Sequence, residues 1–335
     1  MTTLSPAGGV GPQPSAAEMY YNHYLNLLDA LAEGRVVPFL GAGVGLSDRP
    51  EGSSYAFGKQ LPSGWELSEY LADRVRLPAS ERKRELDLAR VSQYGAVMLG
   101  ADRLYGWLRE MFDADYPPTT VHGVLAALPG ELRTRGAVRP TQLIVTTNYD
   151  DGLERAFAAA GEPLDVLWYV AEGKHRGKFY HAAPGAKPRL ITRPSTYTEV
   201  DPARRSVLLK MHGAVDRTEP QRDSYVITED HYIEYLARGA AQDIFPVHVA
   251  ARFVDSHLLF MGYSLRDWNL RVLLYHVWAD QERSLVSWAV QKDPDEFDQE
   301  YWRTRGIKIL PLALADYVGG LREHLRHFSL PGRAS

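Results

Sequence analysis

Cysteine is missing from all 335 residues, which excludes disulfides, thiolate catalysis and a cysteine-ligated structural zinc. An excess of charge is missing too. The chain sets 38 Lys and Arg against 42 Asp and Glu, a formal net charge of −4, so no global positive field draws it to nucleic acid or to an anionic membrane. No apolar run approaches the roughly 20 residues that cross a bilayer, and the N-terminus lacks a basic stretch followed by an apolar one. Direct membrane binding is not expected, direct nucleic-acid binding is disfavoured, and the expected location is the cytoplasm. What remains is a globular chain, 45% hydrophobic, able to bury one large core or one core with a substantial insertion.

Residues 1–16 are small, Gly and Pro residues with almost no charge and read as a disordered leader; residues 17–330 read as a single domain. Short apolar runs alternate with helical periodicities: Val36–Leu40, Gln142–Thr147, Ser206–Met211, His257–Met261, Leu285–Val290 and Ile307–Leu312 predict strands, with a further short one at Tyr225–Thr228. This alternation predicts an α/β fold, a doubly wound, Rossmann-like parallel sheet. An inserted helical layer is expected over about 64–130, its last helix stopping at Pro129-Gly130, and a small β-rich excursion over about 165–205. Leu46–Pro62 reads as a loop or mobile lid. The basic residues Lys174, His175, Arg176, Lys178, Lys187, Arg189 and Arg193 of the excursion read as a solvated surface before a phosphate contact.

In such folds ligands meet the carboxyl ends of the strands, and four motifs lie there. The first strand runs into Gly41-Ala42-Gly43, where missing Cβ atoms permit positive φ and close approach to a pyrophosphate, or simply a tight turn. The second ends in Thr147-Asn148-Tyr149-Asp150: Asn148 suits a water or a ribose hydroxyl, Asp150 accepts from hydroxyls or an amide, and both are equally good helix caps. His212, after Lys210-Met211, is either a core histidine or an imidazole placed to take a proton. Gly262-Tyr263-Ser264 with Asp267 is a fourth turn, in which Ser264 and Asp267 contact a ligand or cap a helix.

In this order and spacing, over about Gly34 to Leu321, the four motifs resemble the bacterial sirtuin-like NAD-hydrolase domains of anti-phage defence. That resemblance implies NAD as substrate, bound by Gly41, Ala42, Gly43, Asp150, Gly262, Tyr263, Ser264 and Asp267. It implies Asn148 orienting the nucleophilic water and His212 as catalytic base, with Trp288 and Val290 nearer the adenine. The four-cysteine zinc module of protein-deacylating sirtuins is absent, so no zinc is expected and deacylation or ADP-ribosyl transfer becomes the alternative. A non-catalytic nucleotide-binding assembly module is another, and a plain dehydrogenase a weaker one. Gly45 stands where this family usually has Ser, with Ser47 as a substitute hydroxyl. The resemblance further implies an NAD-depleting effector, a homo-oligomer, and a separately encoded defence partner such as a hexameric helicase-type ATPase or an Argonaute-like protein.

Overall fold

A computed structural model describes residues 15–53, 55–82, 86–237, 245–263, 265 and 285–330. Nine strands among them form one sheet: β1 (Val36–Leu40), β2 (Leu143–Thr146), β3 (Leu164–Tyr169), β4 (Phe179–Ala182), β5 (Arg189–Ile191), β6 (Ser206–Lys210), β7 (His257–Met261), β8 (Ser287–Val290) and β9 (Ile307–Leu310). Their order is β5-β4-β3-β6-β2-β1-β7-β8-β9. All pairings are parallel except β3–β4 and β4–β5, so the excursion is an antiparallel extension of the main sheet. The chain leaves β1 towards β2 on one side and returns to β7 on the other. At this reversal the register levels the strand ends: Leu40 pairs with both Thr146 and Met261, and Thr146 with Lys210. The four motifs therefore start side by side along one edge.

Alternate side chains of a strand face opposite sides, and helices cover both. Val36, Leu40, Ile144, Leu208 and Leu259 meet α1 (Ala16–Ala32), α6 (Thr120–Thr134), α7 (Gly152–Ala159) and α11 (Leu314–His327). Val37, Phe39, Val145, Leu209 and Phe260 meet α8 (Glu229–Ala237), α9 (Val247–Val254) and α10 (Glu296–Arg303). The result is a mixed α/β fold with a mostly parallel sheet between helices. A third apolar cluster joins α2 (Gly64–Arg74), α4 (Leu88–Leu99) and α5 (Ala101–Phe112) to Tyr149, Tyr225 and Ile227, with the short α3 (Ala79–Arg82) outside it, which seats that layer against the loops at the strand ends.

Three expectations are corrected. Helix α1 begins inside the expected leader: Ser15 caps it and forms a reciprocal capping box with Glu18, satisfying amides at the helix start; residues 1–14 lie outside the described residues. Helix α6 continues through Pro129 to Thr134. A proline there deprives the carbonyl of Leu125 of its helical donor, and the Gln142 side chain supplies one, Nε2 donating to that carbonyl at 2.8 Å. Tyr225–Thr228 is buried but joins no ladder. Its amides serve loops instead, Val226 N–H donating to the His212 carbonyl at 2.8 Å.

Candidate active site

The glycine turn is locked onto the turn after β7. Gly41 N–H donates to the Met261 carbonyl and Gly43 N–H to the Gly262 carbonyl, both at 2.9 Å. A Cβ at Gly41 would lie 2.6 Å from the Gly262 oxygen, and one at Gly43 2.9 Å from Gly262 Cα. Neither glycine uses positive φ; that conformation belongs to Gly262, at +68°. The glycines at 41 and 43 are therefore required by backbone against backbone, with their amides engaged inside the protein. At Gly45 the neighbour is a side chain: a Cβ there would sit 2.9 Å from Leu61 Cδ1. Ser47 does not replace a missing hydroxyl in the cavity, since its Oγ donates to the Val44 carbonyl at 3.0 Å.

The loop after β2 is built from its own hydroxyls. Thr146 Oγ1 donates to the Leu40 carbonyl and accepts from Asn148 N–H, both at 3.0 Å, and Asn148 Nδ2 donates to the Gly41 carbonyl at 3.1 Å. The amide is thus oriented with Oδ1 left as its acceptor. Thr147 Oγ1 lies 2.6 Å from the Tyr263 hydroxyl, joining this loop to the β7 turn. Asp150 is buried and its Oδ1 accepts from Gly152 N–H at 2.9 Å, a bond to the first residue of α7 made from the position before its N-cap, Asp151, and Asp150 also lines the cavity.

His212 follows β6, half-buried, with the rings of Tyr232 and Tyr235 edge-on at 5.5 and 5.9 Å. Burial among them pushes its imidazole down to about 3, so it is neutral at physiological pH and offers a lone pair. Ala42, Asn148, Asp150, His212, Gly262 and Tyr263 together line one cavity of about 340 Å³, within the size range of ligand sites. Its far wall is the helical layer, through Leu61, Leu67, Leu88 and Phe112. The loop bearing Leu61 is pinned: the Arg49 guanidinium grips Glu66 of α2 in a fork at 2.6 and 2.8 Å and holds that carboxyl down to about 2.

Residues 142–310 of this chain, half its length, match the SIR2-like domain family. The chain belongs to the SIR2-like family. It is 24% identical over 298 residues to Defense-associated sirtuin 2 of Bacillus subtilis, covering 86% of this chain and 24% of that protein. It is 24% identical over 250 residues to the NAD(+) hydrolase ThsA of Cytobacillus dafuensis, covering 75% and 39%. To the NAD(+) hydrolase ThsA of Acinetobacter baumannii it is 28% identical over 225 residues, covering 66% and 37%. The chain thus spans about a quarter to two-fifths of the length of these relatives.

In this SIR2-like chain the structure brings Asn148, Asp150 and His212 to one cavity with Ala42, Gly262 and Tyr263, while Gly41 and Gly43 stand behind its wall as packing. Ser264 and Asp267 lie outside the described residues. Trp288 and Val290 do not reach the cavity: Trp288 stacks on His257 at 4.8 Å and Val290 is buried in the core. Sequence reasoning missed Tyr232 and the wall of Leu61, Leu67, Leu88 and Phe112, whose apolar periodicity is that of any helix core. It also left Thr147 out, although a hydroxyl beside the Asn148 motif was a usable signal. No helix among the described residues is long and apolar enough to cross a membrane.

Proposed function

We propose that this chain hydrolyses NAD to nicotinamide and ADP-ribose. The observation that carries the reading is the meeting of Asn148 and His212, delivered by the adjacent strands β2 and β6, at one cavity faced by the apolar Leu61, Leu67, Leu88 and Phe112. Nicotinamide leaves its ribose as a neutral group from a cationic one, through an oxocarbenium-like state that gains most from orientation and fixed dipoles. Asn148 Oδ1 orients the water whose oxygen bonds to the ribose carbon as the bond to nicotinamide breaks. The neutral His212 accepts that water's proton, which becomes acidic only as the oxygen attacks. Asp150 sits beside the nicotinamide amide, and the apolar wall excludes bulk water. Two relatives named as NAD(+) hydrolases support the same chemistry, and one named as a defense-associated sirtuin supports a role in defence, where hydrolysis by this chain would deplete NAD. Such an activity needs restraint, so control by self-assembly or by a separately encoded partner belongs to this proposal.

The strong depression of the His212 imidazole favours a second reading, binding without turnover. Both readings, and the deacylase alternative, separate in one assay: nicotinamide release from NAD with and without an acetylated peptide, beside a direct measurement of NAD binding. The proposal expects release independent of peptide. Release only in proportion to peptide means deacylation, and binding with no release in either arm is the outcome of an assembly module or of an effector held off until it meets its partner.

A further inference from the structure

Behind the cavity lies a charged group that the hydrolytic step does not use. Lys210 ends β6, two residues before His212, and is 1% exposed. Its ammonium donates to the Asp150 carbonyl and, at 2.7 Å, to Glu154 Oε1 of α7. Glu154 Oε2 is buried without a hydrogen-bond partner among the described residues, and burial raises the Glu154 carboxyl against the opposing pull of Lys210. A buried ion pair is weak evidence of stability, because desolvation offsets most of the attraction; a well-packed apolar pair would serve a merely structural purpose as well. What an apolar pair cannot do is hold a main-chain oxygen of the loop that carries Asn148 and Asp150.

We propose that Lys210 is a positioning residue that ties the Asn148–Asp150 loop to the strand carrying His212, so that the two catalytic groups keep a fixed separation. One side chain on β6 reaches the loop that follows β2, and its contact with that loop is with backbone at Asp150, separate from its ion pair with Glu154. Two main-chain bonds also join this loop to the segment of His212, Met211 N–H donating to the Thr146 carbonyl at 2.9 Å and Val215 N–H to the Tyr149 carbonyl at 3.1 Å, whereas its other side-chain bonds run elsewhere: Asn148 to Gly41, Thr147 to Tyr263, the Tyr149 hydroxyl to Val226 and Asp150 Oδ1 to Gly152. Lys210 is thus the side-chain link, among those hydrogen bonds, between the loop and β6. The kinetic part of this inference rests on the hydrolysis proposed above; the structural part does not.

The test compares Lys210→Met with Glu154→Gln by amide hydrogen exchange over residues 147–153, with hydrolysis measured alongside. Losing a charge-assisted bond to a loop carbonyl is expected to raise exchange about 10- to 100-fold in Lys210→Met. Glu154→Gln leaves the bond to Asp150 and is expected to stay within about threefold of wild type. Misplacement of the loop is expected to lower kcat about 10- to 100-fold in Lys210→Met with little change in KM. Equal exchange in the two variants, or none above wild type in Lys210→Met, overturns the proposal, because a purely structural ion pair suffers alike from either change. If Lys210→Met does not fold, Lys210→Met/Glu154→Leu removes both charges and is read by the same exchange. A wild type that releases no nicotinamide removes the kinetic comparison and bears on the hydrolysis reading alone, while the exchange result still decides the tether.

Discussion

Gly41→Ala is the substitution whose outcome the geometry specifies most narrowly. The new methyl would lie 2.6 Å from the Gly262 carbonyl oxygen and 2.9 Å from two Tyr263 ring atoms. Gly262 cannot retreat, since its own Cα is wedged against Val44 and Gly43: a Cβ there would stand 2.4 Å from Val44 N. Backbone on both sides means that no rotamer change relieves the contact. Overpacking of this kind costs about 1–3 kcal/mol. Forcing the turns apart also lengthens the hydrogen bonds from Gly41 to Met261 and from Gly43 to Gly262, each worth about 1 kcal/mol. The expected loss is about 2–4 kcal/mol in ligand-free protein, read by urea unfolding followed by tryptophan fluorescence. Gly106→Ala serves as the counterpart, because its Cβ would meet nothing within 4 Å inside α5; relief of helix-interior glycine predicts a gain of about 0.5–1 kcal/mol. If Gly41→Ala matches wild type to within about 0.5 kcal/mol and loses only ligand binding, the close-packing account of this turn is refuted.

Three further outcomes follow from the same contacts. His23 is buried and its imidazole pushed down to about 4, and His212 is pushed down to about 3. The unfolded chain therefore binds more protons between their depressed and ordinary values, and stability falls with acid below about pH 6.5. For His23 alone the loss from pH 7 to 5 is about 2 kcal/mol, and urea unfolding that is flat across this interval contradicts it. Glu66 acts lower: held down to about 2 by Arg49, it contributes above its ordinary value and loses that contribution between about pH 4.5 and 2, so Arg49→Met flattens the acid limb there and an unchanged limb denies the pair a role. Gly45→Ser displaces Leu61 at a cost of about 1–2 kcal/mol; combined with Leu61→Ala the loss should be less than additive by at least about 0.5 kcal/mol, and strict additivity would mean that the two positions do not touch.

Much of the framework was readable because its signals are local. Val36–Leu40, Ser206–Lys210 and His257–Met261 are apolar runs bounded by polar or small residues, and strands buried on both faces leave that pattern. The convergence on one candidate cavity was readable where polar side chains sat at strand ends, as with Asn148 and His212. Reading failed where a distant partner decided the outcome. Pro129 sits inside a helix because Gln142 reaches the Leu125 carbonyl, a partner 17 residues from that carbonyl that no local rule supplies. Gly41 and Gly43 suggested open amides for a phosphate, whereas residues more than 200 positions later already engage them. The cavity wall from Leu61 to Phe112 carried no chemical mark, because an apolar side chain that faces a ligand looks the same in sequence as one that faces another helix. Trp288 was misplaced for a related reason: its stacking on His257 and edge contact with His23 are invisible until the sheet order is known.

The central claim is that Asn148 and His212 act together on NAD. It is tested most directly by nicotinamide release from NAD in the wild type, Asn148→Ala and His212→Ala, with thermal unfolding confirming that each is folded. The account predicts measurable release by the wild type and a loss of about 100-fold or more in each variant. Release by both folded variants at the wild-type rate would contradict it.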